Sequence, residues 1–265
     1  MTKIVVVGAC GRMGSTIMRL TEEDTALELV GAVERKDSPF IGEDSSRFGG
    51  KKGLKITDSL IDVASSDTVI IDFTHRDSAM LNIKVAKEKK SPMVIGTTGF
   101  DKGQLAEIEA TALSAFPCVL SPNMSMGVNL LFKLVEEAAK VLKDEYDVEI
   151  LEIHHKMKKD APSGTAVKLG QIIAEALGRD YEKVAVYERK GITGERTKEE
   201  IGMQTLRAGD VVGEHTVIFG GMGERIELIH RAHSRENFAR GALRAAKWVV
   251  DKPAGLYSMK DVLNL

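Results

Sequence analysis

The first 125 residues of the chain repeat one pattern, in which a short apolar run is followed by a turn and often by a helical pattern. "KIVVVGA" is a continuous apolar run that ends in glycine, and "RMGSTIMRLTEE" after it has apolar residues at helical spacing. Repeated units of this kind predict a parallel sheet with helices on both faces and a Rossmann-like strand order. The other runs are "LELVGAVER", "DTVIIDFT", "PMVIGTT" and "FPCVLSPN".

This pattern changes after residue 125. "GVNLLFKLVEEAAKVLKD" predicts a long helix. "EHTVIFGGMGERIELIHRAH" has two alternating runs joined by a Gly-rich turn, which predicts a hairpin. We therefore expect a second, α+β domain with a mostly antiparallel sheet. The last apolar helix, "NFARGALRAAKWVV", can belong to either domain.

The composition argues against several classes of function. Thirty-seven basic residues against 39 acidic ones give a net charge of -2, whereas general nucleic-acid binding needs an excess of Lys and Arg. The two cysteines, Cys10 and Cys118, form no C-x-x-C motif, which favours a reducing cytoplasm over a disulfide framework or a zinc site. No window approaches the roughly 18 apolar residues of a membrane span, and the first apolar run is too short for a signal peptide.

A glycine-rich turn joins the first predicted strand to its helix. "VVVGACGRMGS" places Gly8, Gly11 and Gly14 in a G-x-x-G-x-x-G pattern, with Cys10 where the common fingerprint has its second glycine. Small residues let backbone N–H groups approach a pyrophosphate at a helix N-terminus, and Arg12 adds a full positive charge. On the glycines alone, a turn that binds no ligand is the alternative.

An acidic residue follows at the distance that dinucleotide binding requires. Glu34 ends the second predicted strand, where a carboxylate can accept hydrogen bonds from the ribose hydroxyls of NAD. The adjacent Arg35 can contact the 2′-phosphate of NADP. Together with the glycine motif, these residues favour a dinucleotide site over a solvated charge pair, and they allow either NADH or NADPH.

The loops after the fourth and fifth predicted strands lie where open α/β sheets bind ligands, outside the carboxyl ends of the strands. Residues 96–98 and 121–124 are therefore candidate walls for the nicotinamide half of the cofactor. Thr and Asn also cap helices without binding any ligand, which is the alternative for these loops.

The stretch "EILEIHHKMKKDAPSGTAVKLG" contains two histidines and three lysines within six positions. On a strand, His154 and His155 point to opposite faces, and no cysteine or recognisable ligand spacing completes a metal site. Nucleic acid is disfavoured by the net charge and by the few aromatic residues available to stack on bases. A small anion fits better, although a solvated basic loop is the alternative for the lysines.

A predicted helix N-terminus follows this cluster. Ser163, Gly164 and Thr165 lie at the start of an apolar helical pattern, where free N–H groups and the helix dipole favour an anion. With Lys158 as a point charge upstream, two carboxylates can be held there. A histidine that titrates near neutrality, next to a lysine, is suited to donate a proton to a developing carbanion or enamine.

Together these segments resemble the dihydrodipicolinate reductase family, whose members are also called 4-hydroxy-tetrahydrodipicolinate reductases. The resemblance extends from residue 8 to about residue 249, and the His-Lys-"DAPSGT" stretch is its most specific part. The motifs that support it are "GACGRMG", "AVER", "IDFT", "VIGTTGF", "SPNMSMGVN", "EIHHKMKKDAPSGTA", "GERTKEEIGMQTLRAGDVVGEHTV" and "HRAHSRENFARGALRAAKWV".

The resemblance implies an enzyme that uses NADH or NADPH, and no metal, to reduce 4-hydroxy-tetrahydrodipicolinate to tetrahydrodipicolinate in the diaminopimelate route of lysine biosynthesis. It implies a dinucleotide-binding domain of residues 1–125 plus 236–265. Residues 126–235 would form the domain that binds the substrate and mediates oligomerisation, in a cytoplasmic homotetramer.

The resemblance also assigns roles to individual residues. His154 and Lys158 would be the proton donors. The cyclic dicarboxylate would be held by His155, Lys158, Ser163, Gly164 and Thr165. The nicotinamide cofactor would be bound by Gly8, Ala9, Cys10, Gly11, Arg12, Met13, Glu34, Arg35, Gly96, Thr97, Thr98, Ser121, Pro122, Asn123 and Met124.

Two positions depart from the family pattern. The family often has proline two residues after "DFT", where this chain has Arg76, and Asn123-Met124 lacks an aromatic contact on the cofactor side. Both departures concern nucleotide preference and affinity more than the reaction. Two other functions stay open: a different two-domain nicotinamide oxidoreductase, such as an amino-acid or sugar dehydrogenase, and a non-catalytic NADH-binding module.

Overall fold

The computed structural model describes all 265 residues, which divide into two compact units. Unit 1 consists of Met1–Met126 and Glu236–Leu265, and unit 2 consists of Gly127–Arg235. We number the strands β1 to β12 and the helices α1 to α9 along the chain. None of the helices has both the length and the apolar character needed to cross a membrane.

Unit 1 is built on a seven-stranded sheet in the order β12-β6-β5-β4-β1-β2-β3. Every neighbouring pair in this sheet is parallel, so the carboxyl ends of the strands share one edge. The strands are β1 (Thr2–Val7), β2 (Leu27–Val33), β3 (Ile56–Thr57), β4 (Thr68–Asp72), β5 (Met93–Ile95), β6 (Pro117–Leu120) and β12 (Gly255–Tyr257).

Helices cover both faces of this sheet. Alternate residues of β1 show this directly, since Ile4 and Val6 belong to one apolar cluster and Val5 and Val7 to another. The first cluster includes residues of α1 and α8, and the second includes residues of α3 and α4. The helices of unit 1 are α1 (Arg12–Glu23), α2 (Leu60–Val63), α3 (Arg76–Lys89), α4 (Lys102–Ala115), α8 (Glu236–Val249) and α9 (Met259–Leu263).

Unit 2 has a five-stranded sheet in the order β11-β10-β7-β9-β8. Strand β10 pairs antiparallel with both β11 and β7, whereas β9 pairs parallel with both β7 and β8, so the sheet is mixed. Its elements are α5 (Met126–Leu142), β7 (Asp147–His154), α6 (Gly164–Ala176), α7 (Tyr181–Val184), β8 (Ala185–Val186), β9 (Ile201–Arg207), β10 (Gly213–Gly220) and β11 (Arg225–Ala232).

One face of this sheet packs against α5 and α6. Val148 and Ile150 of β7 belong to the apolar cluster on that face. Glu152 follows at the next position of the same alternation and is fully buried. The fold therefore places a carboxylate at the end of an otherwise apolar row.

The predicted fold class is confirmed. Unit 1 has the parallel, helix-covered sheet expected from the strand–helix repeats, and unit 2 is an α+β unit. The hairpin expected from the Gly-rich turn is the antiparallel pair of β10 and β11.

Candidate active site

The glycine-rich loop brings the start of α1 against the end of β1. Gly8 has a φ of +77°, a conformation that costs glycine little. A Cβ at Gly14 would lie 2.1 Å from the Gly8 carbonyl oxygen, so any larger residue would push the helix away from the loop. These two glycines therefore fix the strand–loop–helix geometry on which a dinucleotide-binding turn depends.

Most backbone N–H groups within the loop already have partners inside unit 1. Those of residues 8 and 9 donate to the Val33 carbonyl at 2.9 and 3.0 Å. The Cys10 N–H donates to the Glu34 carboxylate at 3.0 Å, and the Gly11 N–H donates to the carbonyl three residues earlier at 3.0 Å. An anion would therefore meet the first turn of α1, whose N–H groups have no partner inside the helix.

The start of α1 is suited to a negative charge. Gly11 is the N-cap, no side chain caps the helix, and the first turn contains no acidic residue. Arg12 is exposed beside it and Met13 is half-buried, whereas Ala9 is fully buried. Arg12 and Met13 are thus the predicted loop contacts best placed for a pyrophosphate, while the Ala9 side chain packs in the interior.

Glu34 and Arg35 directly follow β2 and line a cleft of about 490 Å³ in unit 1, together with Gly11. The Glu34 carboxylate accepts hydrogen bonds from the N–H groups of Cys10 and Arg35, each at 3.0 Å. The Arg35 side chain is largely exposed, with its Nε 3.3 Å from an Asp37 carboxylate oxygen. The cleft therefore has a fixed carboxylate on its wall and an exposed guanidinium at its rim.

Both cysteines of the chain are unpaired. Burial, with the nearby Glu34 carboxylate, raises the pKa of the Cys10 thiol to about 11. Burial also raises the pKa of Cys118. Both thiols are therefore protonated near neutral pH, and Cys10 fills its place in the loop as a small apolar residue.

A buried carboxylate organises the loops after β4 and β5. Asp72 has no exposed surface and accepts hydrogen bonds from the Thr97 hydroxyl and the Thr74 N–H, each at 2.9 Å. Three predicted cofactor contacts lie in the loop after β5. Thr97 is buried beside Asp72, Gly96 is half-buried and Thr98 is exposed. The sequence interpretation missed Asp72, although a carboxylate that ends an apolar strand is a visible signal.

The loop after β6 contains both buried and exposed residues. The Ser121 hydroxyl donates to the Asn123 carbonyl at 2.8 Å, and Pro122 is exposed. Met124 is 1% exposed and belongs to the apolar cluster that also contains α8. The Met124 side chain therefore packs in the interior of unit 1, and a contact with the cofactor stays a prediction.

Arg76, the other departure from the family pattern, begins α3. Its guanidinium donates to the Gly99 carbonyl at 3.2 Å. A side chain at this position therefore connects the start of α3 to the loop that follows β5.

In unit 2, the histidine at the end of β7 is paired with a buried carboxylate. The Nδ1 of His154 lies 2.5 Å from Glu152 Oε2, and the two side chains are 12% and 0% exposed. Glu152 also accepts hydrogen bonds from both terminal nitrogens of Arg207, each at 2.9 Å, and from the Ser163 N–H at 3.0 Å. Three separate elements thus donate to one carboxylate.

Glu152 stays ionised in spite of its burial. Burial by itself raises its pKa, but the hydrogen bonds from His154, Arg207 and Ser163 lower the pKa to about 2. An ionised carboxylate only accepts, so the hydrogen between the two side chains belongs to His154 Nδ1. Nε2 is then the ring nitrogen left to exchange a proton with another molecule.

Two residues of β10 adjoin the same imidazole. A Cβ at Gly213 would lie 3.0 Å from His154 Nε2. The ring of His215 meets that of His154 edge-on with centroids 5.3 Å apart, and its Nε2 lies 3.0 Å from the Ser163 hydroxyl. Burial, together with His154 as a nearby charge, lowers the pKa of His215 to about 3, so His215 is neutral at physiological pH.

Lys158 lies in the turn after β7. Its Nζ is 2.8 Å from an Asp160 carboxylate oxygen, and its side chain is 21% exposed. The hydrogen bond from Lys158 lowers the pKa of Asp160. Arg207 donates to the Asp160 carbonyl at 2.6 Å, which connects this turn to the carboxylate site at Glu152.

The N-terminus of α6 follows this turn. Ser163 is the N-cap, its hydroxyl accepts from the Ala166 N–H at 3.2 Å, and it is 2% exposed. Its own N–H and hydroxyl have partners within unit 2, so Ser163 supports the start of the helix, and its contact with the substrate stays a prediction. Gly164 is exposed and Thr165 is half-buried in the first turn, where N–H groups favour an anion.

The second histidine of the pair differs from the first. His155 is half-buried, and its Nδ1 is buried without a hydrogen-bond partner. A buried polar atom without a partner is uncommon in folded proteins, and contact of His155 with the substrate stays a prediction. The structure contains no group of three or more His, Cys, Asp or Glu side chains that could hold a metal ion.

The sequence interpretation did not identify Glu152, Arg207 and His215 as parts of this site. Glu152 pairs with His215 of β10 on one side and with Thr205 of β9 on the other. His154 pairs with Arg207 in the same register. The alternation of β7 could have pointed to Glu152, but the other two come from strands more than fifty residues away in the chain.

Hydride chemistry belongs to a cofactor, while proton transfer needs a side chain of the protein. Unit 1 provides a Rossmann-type dinucleotide turn, and unit 2 provides a histidine oriented by a carboxylate next to a helix N-terminus. The fold and these two sites define a two-domain oxidoreductase that uses a nicotinamide cofactor.

Comparison with known proteins narrows this class to one family. Residues 2–124 match the family profile described as "Dihydrodipicolinate reductase, N-terminus", and residues 127–263 match "Dihydrodipicolinate reductase, C-terminus". The chain belongs to the dihydrodipicolinate reductase family, as its sequence motifs predict.

Individual relatives agree with this assignment. The 4-hydroxy-tetrahydrodipicolinate reductase of Syntrophus aciditrophicus is 56% identical over 100% of this chain and 99% of its own length. That of Geotalea uraniireducens is 53% identical over 100% of both chains. Dipicolinate-bound dihydrodipicolinate reductase from Paenisporosarcina sp. TG-14 has the same fold, with a TM-score of 0.76, 24% identity and 97% of each chain covered.

Proposed function

We propose that this chain reduces 4-hydroxy-tetrahydrodipicolinate to tetrahydrodipicolinate with NADH or NADPH, in the diaminopimelate route of lysine biosynthesis. Relatives that are 56% and 53% identical to it have the name of this reaction. The observation that carries the proposal is the oriented His154 next to the N-terminus of α6. A proton donor beside a site for anions is what the reduction of a cyclic dicarboxylate requires.

Unit 1 fits a dinucleotide. The close approach of Gly14 to Gly8 sets the turn, and the uncapped start of α1 with Arg12 would hold the pyrophosphate. The Glu34 carboxylate on the wall of the cleft would accept from the ribose hydroxyls. Arg35 at the rim would meet a 2′-phosphate, which supports use of both cofactors. When bound, the reduced nicotinamide supplies a hydride.

Unit 2 fits the two carboxylates of the substrate. The N–H groups of Gly164 and Thr165 and the ammonium of Lys158 would bind them, with His155 as a further hydrogen-bonding partner. Lys158 is paired with the exposed Asp160, so a substrate carboxylate would compete for a cation that already has an anionic partner. This supports recognition of an anion by exchange of one ion pair for another.

The proton is the contribution of the protein to the chemistry. Loss of the 4-hydroxyl group as water leaves the substrate with a conjugated C=C–C=N system. Addition of a hydride to the far end of this system gives an electron-rich enamine, which must take up a proton. His154 would deliver it from Nε2, while Glu152 holds Nδ1 and stabilises the positive charge of the imidazolium. Lys158 would act as a second donor and would balance the charge of the bound carboxylate.

We further propose that residues 1–125 and 236–265 bind the cofactor, and that residues 126–235 bind the substrate and form a homotetramer. Strand β11 lies at the edge of the five-stranded sheet and carries Ile226 and Ile229, which are 41% and 42% exposed on its two faces. An edge strand of this kind supports a contact between copies of this unit. The two unpaired cysteines are compatible with work in a reducing cytoplasm. Native mass spectrometry would give the subunit number directly.

The decisive experiment is a reductase assay with freshly condensed pyruvate and aspartate semialdehyde, followed as loss of the absorbance of the reduced nicotinamide. We expect oxidation that depends on both precursors. Binding of NADH without oxidation would instead indicate a cofactor-binding module. Oxidation with an amino acid or sugar derivative, but not with the condensed product, would indicate a different dehydrogenase.

A further inference from the structure

The carboxylate behind His154 is unusual for its complete burial. Glu152 has no exposed surface, and an ionised carboxylate is unfavourable in such a place unless donors surround it. Here His154 Nδ1, both terminal nitrogens of Arg207 and the Ser163 N–H donate to it. These donors come from β7, from the end of β9 and from the start of α6.

Glu149, on the same strand, forms an ion pair that can be compared with the Glu152–Arg207 pair. Its carboxylate also accepts two hydrogen bonds from one arginine, Arg189, each at 2.9 Å. Its side chain is nevertheless 28% exposed, and none of its hydrogen bonds involves a histidine. A carboxylate–arginine fork on β7 therefore does not by itself require burial or contact with an imidazole.

The direction of the contact determines what His154 can do. With Glu152 on Nδ1, the neutral imidazole keeps its hydrogen on that nitrogen, and the imidazolium places its transferable proton on Nε2. Arg207 in turn holds both oxygens of Glu152, so the carboxylate cannot rotate away from the ring without losing this fork. The side of the ring that carries Nε2 adjoins Gly213, which has no side chain.

We propose that Glu152, clamped by Arg207, is the positioning residue for His154, because it fixes both the orientation and the tautomer of the imidazole so that Nε2 alone exchanges the proton. This inference rests on the proposed function in one respect only, which is that His154 is the proton donor. Glu152 itself touches neither substrate nor cofactor in this assignment.

A purely structural role is the competing explanation, in which the network only ties β7 to β9 and α6. The two explanations differ in what Glu152→Gln changes. The glutamine has the same shape, so a structural role predicts lower stability with a normal reaction in the folded enzyme. A positioning role predicts a loss of turnover and a change of tautomer in protein that is still folded.

The test compares Glu152→Gln with Glu149→Gln, which removes a matched carboxylate–arginine fork from the same strand. We expect Glu152→Gln to lower kcat about 10- to 100-fold, a part of the 10²- to 10⁴-fold that a positioned acid supplies, with the KM for NADH unchanged. Glu149→Gln should keep kcat within about twofold of the wild type. Equal kcat values in the two folded variants would overturn the proposal.

Nitrogen NMR of a histidine-labelled sample gives a second readout that needs no substrate. In the wild type we expect neutral His154 to have its hydrogen on Nδ1, and in Glu152→Gln we expect a mixture of both tautomers. If Glu152→Gln does not fold, Arg207→Lys keeps the positive charge but removes the fork, and kcat should fall about 3- to 10-fold. A wild-type neutral His154 with its hydrogen on Nε2 would contradict the proposal, regardless of the kcat values of the variants.

The two readouts also separate this inference from the proposed function. A wild type that fails to oxidise NADH with the condensed substrate would refute the function, while the tautomer measurement would still test the Glu152–His154 contact. An active wild type with a mobile or Nε2-protonated His154 would refute only the positioning role.

Discussion

Gly213 passes so close to His154 that a Cβ at this glycine would lie 3.0 Å from the ring Nε2. Contacts this short are avoided in packed proteins, so an alanine would displace the imidazole by a few tenths of an ångström. We expect Gly213→Ala to lower kcat about tenfold, because small errors in the position of a proton donor are costly. The free energy of unfolding should fall by only about 1 kcal/mol.

Gly220, at the other end of β10, provides the control for this experiment. A Cβ there would meet no atom within 4 Å, so Gly220→Ala should leave kcat unchanged. Steady-state kinetics and thermal unfolding of both variants make the comparison. A similar loss of turnover in both would mean that the strand, and not the contact with Nε2, is responsible.

Removal of the imidazole tests its role in proton transfer directly. His154→Ala should lower kcat by on the order of 10²- to 10⁴-fold. The Kd for NADH, measured by fluorescence titration, should stay unchanged because the predicted cofactor contacts lie in unit 1. An unchanged kcat would end the assignment of His154 as the proton donor.

A substitution at Arg35 tests whether this residue distinguishes NADPH from NADH. Its guanidinium is largely exposed at the rim of the cleft beside Glu34. Arg35→Ala removes one charge-assisted hydrogen bond to a 2′-phosphate, so it should weaken the binding of NADPH about tenfold. The binding of NADH should change much less. Lys36→Ala removes a neighbouring exposed cation and should affect both cofactors little. Equal losses for NADH and NADPH would show that Arg35 does not contact the 2′-phosphate.

The sequence predicts the parts of this molecule that depend on local pattern. The β1–loop–α1 unit follows from one apolar run, three glycines and one helical period, all within the first 23 residues. The hairpin of β10 and β11 follows from alternation around a Gly-rich turn. His154 and Lys158 can be identified for the same reason, because both belong to one continuous stretch, "HHKMKKDAPSGT".

What could not be predicted depends on how distant strands pair. Strand β7 lies between a parallel partner, β9, and an antiparallel partner, β10, and no local pattern specifies that arrangement or its register. Arg207 and His215 reach the site only through it. The burial of Ser163 and Met124 likewise depends on tertiary packing, which no local pattern specifies.

His215 gives the chain a pH dependence that can be assigned to one residue. Burial lowers its pKa from the usual 6.5 to about 3 in the folded protein. The titratable groups that act on it are His154, Glu152, His230 and Lys158. The unfolded chain therefore takes up a proton at this histidine below pH 6.5, whereas the folded chain does so only near pH 3. The stability contributed by neutral His215 is present above pH 6.5 and is lost as the pH falls toward 3.

We expect this effect to appear in urea unfolding at a series of pH values. Across that window the free energy of unfolding should fall with a slope of up to about 1.4 kcal/mol per pH unit from His215 alone. His215→Gln can still accept the hydrogen bond from Ser163 but does not titrate, so its slope between pH 6 and 4 should be shallower by about that amount. Parallel slopes in wild type and variant would mean that His215 is not held neutral by the fold.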